Sequence, residues 1–205
     1  PTLRVIVFME IHLTKEELIA FEKEIEQLYI NKKISSPVHA SGGNEEQLIA
    51  LFKNIQPEDW IFATYRNHYH ALLKGMPRDK LLQEVLANHS IHIMSKEYRF
   101  VTSSIVGGTI SQAIGAAMAI KLKQERRHVW VFCGEMAGEG GTFYECTKYA
   151  RRHKLPITFI IEDNGWSVDT PTQKVWGEED GGPNVLRYRY ERIYPHYGFG
   201  VWVVF

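Results

Sequence analysis

The sequence predicts an α/β fold, in which helices cover both faces of a mostly parallel β-sheet. Two short apolar runs rich in β-branched residues, 129–133 and 157–161, are typical of buried parallel strands. Residues 142–154 between them have the length and composition of a crossover helix. We therefore expect a strand–helix–strand unit whose two strands end at the same edge of the sheet.

The N-terminal half of the chain predicts three helices and one strand. Residues 14–30 form the first helix, because Thr14 and Glu17 make the pattern of a capping box and an apolar stripe follows them. That stripe consists of Leu18, Phe21, Ile25 and Leu28. The elements predicted next are, in order, a loop at 32–43, a helix at 44–52, a strand at 59–64 and a helix at 78–88.

The C-terminal half adds a helix at residues 110–123, which is rich in Ala and Gly and can therefore pack closely against a neighbour. After the strand–helix–strand unit, residues 167–185 contain turn-forming Pro and Gly and are predicted as a loop. Residues 197–205 are aromatic and β-branched, which predicts an edge strand. There is no internal repeat and no clear linker, so we expect a single domain over residues 1–205.

Composition and charge exclude several classes of function. The 205 residues contain 24 Lys and Arg and 24 Asp and Glu, so the formal net charge is zero. This balance offers no basic excess for nucleic acid and no polybasic run for a membrane surface. No apolar stretch approaches the roughly 20 residues of a membrane-spanning helix. Cys133 and Cys146 suit inert thiols of a reducing compartment, and with no signal peptide visible we expect a cytoplasmic protein.

Polar side chains follow both strands of the predicted unit. Glu135 comes directly after the first apolar run, and Asn164 lies 29 residues later, just after the second. Ligands of open α/β sheets bind outside the carboxyl ends of the strands. Glu135 and Asn164 would offer hard oxygen atoms there, which suit Mg²⁺ or Ca²⁺. The alternative is an ordinary strand–helix–strand unit with polar strand ends.

This spacing resembles the thiamine-diphosphate motif, which begins with Gly-Asp-Gly and ends with Asn-Asn about thirty residues later. The corresponding residues here are Gly134-Glu135-Met136 and Asp163-Asn164. The resemblance implies that Glu135 and Asn164 hold a divalent ion through their side chains, and Trp166 through its carbonyl. The ion would clamp the cofactor diphosphate against Met136 and Ala137. Two departures stand out, because Glu135 is one methylene longer than the usual aspartate and Met136 replaces a glycine.

Further stretches are similar to the alpha subunit of 2-oxoacid dehydrogenases of the pyruvate, branched-chain or acetoin type. Tyr65-Arg66 follows a predicted strand, where the family has a Tyr-Arg pair that contacts the cofactor. Ser90-Ile91-His92 is similar to a family segment whose histidine lines the reaction site, which implies a catalytic role for His92. Ile105-Val106-Gly107 resembles a run whose backbone grips the aminopyrimidine ring. The alternatives are a surface arginine, a structural histidine and a tight turn.

The resemblance implies one subunit of a thiamine-diphosphate-dependent dehydrogenase with Mg²⁺ on the diphosphate. The enzyme would decarboxylate a 2-oxoacid and pass the acyl group to a lipoyl carrier. Nothing in this chain resembles the pyrimidine half of the site, so the resemblance implies a beta-type partner subunit and an alpha–beta heterotetramer. The family's alpha chain runs further, which implies a C-terminally short domain.

Other functions compete with this interpretation. A transketolase-like diphosphate-binding half has a similar metal motif, and a non-catalytic remnant that only binds a partner would explain Glu135 and Met136. An unrelated nucleotide-binding domain is disfavoured, because neither a Walker phosphate loop nor Gly-x-Gly-x-x-Gly follows any predicted strand.

Overall fold

A six-stranded, mostly parallel sheet forms the centre of the molecule. The computed structural model describes residues 12–177, 185–201 and 203. The strand order is β2-β3-β1-β4-β5-β8, and only the β2–β3 pair is antiparallel. The strands are β1 (Trp60–Ala63), β2 (Met94–Ser95), β3 (Phe100–Thr102), β4 (Val129–Gly134), β5 (Ile157–Asp163) and β8 (Leu186–Arg189); β6 (Trp166–Ser167) and β7 (Thr170–Pro171) form a separate hairpin.

Helices lie on both faces of this sheet, as the sequence predicted. They are α1 (Lys15–Ile30), α2 (Glu45–Phe52), α3 (His68–Leu73), α4 (Arg78–Leu86), α5 (Gly108–Leu122), α6 (Glu135–Gly138), α7 (Gly141–Arg152) and α8 (Thr172–Trp176). Successive residues of β4 point to opposite faces. Phe132 joins the apolar cluster built from α1 to α4, whereas Val131 and Cys133 join the cluster built from α5 and α7. The predicted α/β class is therefore confirmed.

The strand–helix–strand unit has the predicted form. Strands β4 and β5 pair in parallel, with Val129 opposite Ile157 and Gly134 opposite Glu162. Helix α7 connects them and buries Phe143 and Ala150 against the sheet. The two strands thus end level with each other, and this register brings the residues that follow them to one edge of the sheet.

The first helix begins as its capping pattern predicted. The Thr14 hydroxyl accepts a hydrogen bond from the Glu17 N–H at 3.2 Å, and the Glu17 carboxylate accepts one from the Thr14 N–H at 2.8 Å. Leu18, Phe21 and Ile25 are buried. The same buried face carries Glu22, which has no exposed surface.

The predicted edge strand at the C-terminal end is wrong for the described residues. Gly198 and Gly200 adopt φ values of +64° and +76°, which turn the chain out of an extended path. Only an isolated parallel bridge joins His39 to Gly198. The strand that covers this edge is β8, which pairs with β5. Residues 202, 204 and 205 of the predicted strand lie outside the described residues.

The predicted loop at residues 167–185 also contains more structure than expected. Hairpin β6–β7 and helix α8 occupy its first part, and residues 178–184 lie outside the described residues. Within the described ranges, no helix is long and apolar enough to cross a membrane.

Candidate functional site

A cavity of about 140 Å³ lies at the carboxyl ends of the parallel strands. Its walls come from the ends of β1, β4 and β5, the turn before α5, the β6–β7 hairpin and the segment after β8. The lining residues are Thr64, Tyr65, Arg66, Val106, Gly107, Gly134, Glu135, Met136, Ala137, Glu162, Asn164, Trp166, Ser167, Val168, Tyr190, Arg192 and His196. This is the position at which open α/β sheets bind ligands.

Glu135 and Asn164 lie side by side in this cavity. Glu135 begins α6 and is 2% exposed. Its carboxylate accepts hydrogen bonds from the Thr172 hydroxyl at 3.1 Å and from the backbone N–H of Asn164 at 3.4 Å. The Asn164 side-chain oxygen accepts from the N–H of Trp166 at 3.1 Å. The structure thus brings the three predicted metal-binding residues to one place.

The electrostatics of Glu135 suit a nearby cation. Burial raises the pKa of its carboxyl above the usual range, and the charge of Asp163 adds to this effect. The Thr172 hydroxyl and the Asn164 N–H act in the opposite direction. Among the described residues there is no group of three or more His, Cys, Asp or Glu that could hold a metal. A hard divalent ion here would therefore depend on one carboxylate together with amide and carbonyl oxygens, which are ligands that Mg²⁺ accepts.

Arg66 supplies positive charge to the cavity. Its guanidinium donates to the carbonyl oxygen of Ala40 and, at 3.2 Å, to that of His196. Within the described residues no carboxylate pairs with it. Because both acceptors are uncharged, its positive charge is left for an anion in the cavity, and a guanidinium fork suits phosphate oxygens. Together with Glu135 and Asn164, this arrangement fits a metal-bound diphosphate.

Met136 occupies the position where the motif has glycine. Its side chain lines the cavity, and its sulfur accepts a hydrogen bond from the indole N–H of Trp176 at 2.8 Å. This contact directs the methionine toward α8. Ala137 lines the cavity beside it. Gly138 serves packing, because a Cβ there would lie 2.9 Å from Ile161.

The structure separates the other predicted site residues into two groups. Tyr65, Val106 and Gly107 line the cavity, and Gly107 adopts a φ of +71° as the N-cap of α5. Ile105 is 71% exposed and is not part of the lining. His92 is also exposed and outside the lining, with its ring 5.3 Å from that of His89.

The sequence analysis did not predict several of the lining residues, among them Glu162, Tyr190, Arg192 and His196. Glu162 is buried and accepts hydrogen bonds from His70 at 3.1 Å, from Asn44 at 3.3 Å and from Tyr188. Its place next to Asp163-Asn164 was a signal that could have identified it. The other three lie beyond β8, in a segment without periodicity, where only the structure reveals their proximity.

The segment after β8 is fastened across the cavity by His39. The ring N–H of His39 donates to the His196 carbonyl at 2.6 Å, and the Gly198 N–H donates to the Val38 carbonyl at 2.9 Å. Burial lowers the pKa of His39 to about 4, against the opposing effect of the His196 carbonyl. Burial, Arg66 and Arg192 lower the pKa of His196. Both histidines are therefore neutral at pH 7. The positive charge in this part of the cavity comes from Arg66 and Arg192.

We expect His39 to make folding stability fall in acid. Its folded-state pKa lies below the unfolded value near 6.5, so below that pH the unfolded chain binds a proton that the folded chain excludes. Stability is lost as the pH falls from 6.5 to about 4, by about 3 kcal/mol from this group. His39→Asn keeps a donor but does not titrate. Urea unfolding of both proteins at pH 7 and pH 4 should show that the wild type loses that much more stability than the variant. An equal loss in the two proteins would contradict this assignment.

Comparisons with known proteins identify the family of this chain. The family model "Dehydrogenase E1 component" matches residues 14–179. The chain is 31% identical over 190 residues to pyruvate dehydrogenase E1 component subunit alpha-3, chloroplastic, of Arabidopsis thaliana, covering 81% of this chain and 44% of that protein. It is 28% identical over 186 residues to pyruvate dehydrogenase E1 component subunit alpha of Porphyra purpurea, covering 78% and 54%.

A third relative is the alpha subunit of acetoin:2,6-dichlorophenolindophenol oxidoreductase of Bacillus subtilis, with 28% identity over 165 residues that cover 76% of this chain and 50% of that protein. The chain thus spans about half the length of these curated relatives. The family match covers most of the sequence and includes every metal-binding and cofactor-binding position predicted above. The chain therefore belongs to the dehydrogenase E1 component family.

Proposed function

We propose that this chain is the alpha-type subunit of a thiamine-diphosphate-dependent 2-oxoacid dehydrogenase. With a beta-type subunit it decarboxylates a 2-oxoacid and passes the acyl group to a lipoyl carrier, as an alpha–beta heterotetramer. Members of this family use thiamine diphosphate with a divalent ion such as Mg²⁺. The observation that carries the proposal is the contact between Glu135 and Asn164 in a cavity that Arg66 also lines.

The residues of this chain would hold the diphosphate half of the cofactor. The Glu135 carboxylate, the Asn164 amide oxygen and the Trp166 carbonyl would bind Mg²⁺, and Tyr65 and Arg66 would contact the cofactor. The backbone of residues 105–107 would contact the pyrimidine ring. The bound cofactor supplies a nucleophilic carbon and an electron sink for decarboxylation. Under this proposal the chain's own part is to orient the diphosphate, to neutralise its charge and to exclude water from its metal.

The surface of α5 supports an interface with a partner. Gly115 and Ala119, spaced by four residues, are exposed on this helix, while Ala113 and Ala117 pack inside the domain. Small residues at that spacing permit close approach of another helix. Ile105 and Val106 are exposed, and Val106 lines the cavity, which also supports a second chain at this edge.

Arg66→Lys is expected to weaken diphosphate binding about tenfold, because a point charge cannot replace the guanidinium fork. The variant should also lose about 1 kcal/mol of stability, since lysine lacks the two separate terminal nitrogens that donate to the Ala40 and the His196 carbonyl. Titration calorimetry with Mg²⁺ and inorganic pyrophosphate measures the first effect and thermal unfolding the second. Arg127→Lys, on a partly exposed arginine paired with Glu125, is the control. Equal pyrophosphate affinity in Arg66→Lys and wild type would show that Arg66 only fastens the chain.

The proposed function is tested by thiamine diphosphate binding and by turnover. The chain is purified alone and with a beta-type subunit, and 2-oxoacid decarboxylation is measured with an artificial electron acceptor. We expect Mg²⁺-dependent binding and activity only for the pair. Full turnover by the chain alone would contradict the requirement for a second subunit, and turnover of a ketose phosphate in place of a 2-oxoacid would favour a transketolase-like function.

A second candidate is a non-catalytic subunit. It is favoured by Met136, whose side chain lines the cavity where the motif has glycine, and by Glu135, whose carboxylate is already hydrogen-bonded within the chain. In that case the chain would bind its partner without binding Mg²⁺ and thiamine diphosphate. Calorimetry on the assembled pair distinguishes the two candidates.

The proposal treats residues 1–205 as one thiamine-diphosphate-binding domain, which is supported by the single six-stranded sheet found among the described residues. A cytoplasmic location is also proposed, and the two unpaired cysteines, Cys133 and Cys146, fit a reducing compartment. Relatives include proteins named as chloroplastic and mitochondrial.

A further inference from the structure

The β6–β7 hairpin contains a strained residue at the rim of the cavity. Trp166 pairs with Pro171 and Ser167 with Thr170, and the turn between them passes through Val168 at a φ of +56°. A β-branched residue rarely adopts a positive φ, and such strain persists only where surrounding contacts impose it. Trp166, Ser167 and Val168 all line the cavity, so the conformation of this turn shapes the site.

Arg192, which also lines the cavity, contacts this turn directly. Its guanidinium donates to the Val168 carbonyl at 2.8 Å and lies 3.5 Å from the Asp169 carboxylate. It also lies over the Trp166 ring, 5.4 Å from the ring centre. The Arg192 side chain is 17% exposed, so these contacts are partly shielded from water. The Arg192 side chain thus contacts three residues of the hairpin, including the strained Val168.

We propose that Arg192 is a positioning residue that fastens the β6–β7 hairpin and thereby fixes the Trp166 carbonyl at the metal site. The inference rests on the proposed function for the role of that carbonyl. The backbone N–H of Thr172 donates to the Gly165 carbonyl at 3.0 Å and secures the base of the hairpin, whereas Arg192 secures its turn. Groups that orient metal ligands from outside the coordination shell typically change metal affinity about 10- to 100-fold when they are removed.

Hydrogen exchange tests the fastening directly. In Arg192→Ala, the peptide that covers residues 164–172 is expected to exchange about tenfold faster than in wild type, because the charged hydrogen bond to Val168 is lost. Arg189→Ala is the matched control on the same segment. Arg189 is 78% exposed and does not line the cavity. Its replacement by alanine leaves Asp163 paired with Arg187. Unchanged exchange in Arg192→Ala would overturn the proposal.

The consequence for the metal is measured by titrating the full chain and its beta-type partner with Mg²⁺ at fixed thiamine diphosphate. Arg192→Ala should require about 10- to 100-fold more Mg²⁺ for half-maximal cofactor binding. Arg192→Lys keeps the charge but cannot both lie over Trp166 and donate to Val168, so it should recover this loss only in part. Arg189→Ala should bind like wild type.

Relief of the strain separates positioning from direct ligand contact. Glycine adopts a positive φ without steric cost, so Val168→Gly in the Arg192→Ala background should restore part of the Mg²⁺ affinity. If Arg192 instead contacts the ligand itself, the double variant stays as weak as Arg192→Ala, and the positioning role is overturned. If wild type binds no Mg²⁺ and thiamine diphosphate at all, the proposed function fails, and the exchange of residues 164–172 alone decides whether Arg192 fastens the hairpin.

Discussion

Glu135→Gln is expected to abolish Mg²⁺-dependent binding of thiamine diphosphate. Glu135 contributes the only carboxylate among the three proposed metal ligands, and its replacement removes the negative charge that attracts the ion. The amide keeps the size of the side chain and one oxygen that accepts from the Thr172 hydroxyl, and it gives up only the longer bond of 3.4 Å from the Asn164 N–H, so the fold should remain intact. We expect the dissociation constant to rise by more than about 100-fold, beyond what outer-shell substitutions cost. Titration calorimetry with Mg²⁺ and thiamine diphosphate measures this change.

Two companion variants make this result specific. Glu145→Gln removes an exposed carboxylate from the neighbouring helix α7 and should bind like wild type. Glu135→Asp restores the aspartate of the motif and should keep the Mg²⁺ dependence. If Glu135→Gln binds the cofactor with undiminished affinity in the presence of Mg²⁺, cofactor binding does not depend on this carboxylate, and the proposed set of metal ligands is wrong.

The edge of the sheet that carries the candidate site could be predicted from the sequence, because the strand signals and the connection between the strands indicated the same arrangement. The apolar runs before Glu135 and Asn164 are short and continuous, which marks buried parallel strands. The connection between them has room for one crossover helix, so both strands must end at the same edge of the sheet. The sequence therefore places Glu135 and Asn164 at one edge, and the direct pairing of β4 with β5 brings them into contact. The capping pattern at Thr14 was equally local and equally predictable.

The elements that sequence reasoning missed depend on distant contacts. Helix α3 has six residues, too few for an apolar period to appear. Strand β8 alternates arginine and tyrosine and becomes a strand by pairing with β5. The segment that carries Arg192 and His196 crosses the cavity because Arg66 and His39 hold it through hydrogen bonds to the His196 carbonyl. No pattern near residue 196 encodes a partner 130 residues away.

The burial of Glu22 in α1 likewise depends on contacts with residues distant in the sequence. Glu22 lies on the apolar face of the helix with Leu18 and Ile25, where a pattern-based reading expects hydrocarbon. Its partner is His68, which begins α3, and the imidazole in turn contacts the Ser90 hydroxyl at 3.0 Å. Three segments distant in sequence meet at this fully buried chain of hydrogen bonds, and it fixes the turn at Ser90 relative to the strand end that carries Arg66.

Substitution of His68 by leucine should therefore destabilise the fold by about 3–5 kcal/mol, because it leaves the Glu22 carboxylate buried without its donor. The ring nitrogen lies 3.1 Å from both carboxylate oxygens, and neither side chain is exposed. In Glu22→Leu/His68→Leu the buried charge of this pair is gone, so the double variant should be more stable than His68→Leu alone. Urea unfolding of the four proteins gives the coupling free energy between the two residues.

The chain offers a matched comparison in the His89–Glu84 pair, which has a similar distance of 2.8 Å but side chains that are 49% and 38% exposed. Water solvates both groups there, so His89→Leu should cost less than about 1 kcal/mol. A His68→Leu loss as small as this would mean that water reaches Glu22 after the substitution. A double variant less stable than His68→Leu would mean instead that the polar chain stabilises the packing of α1 against α3 by more than its desolvation costs.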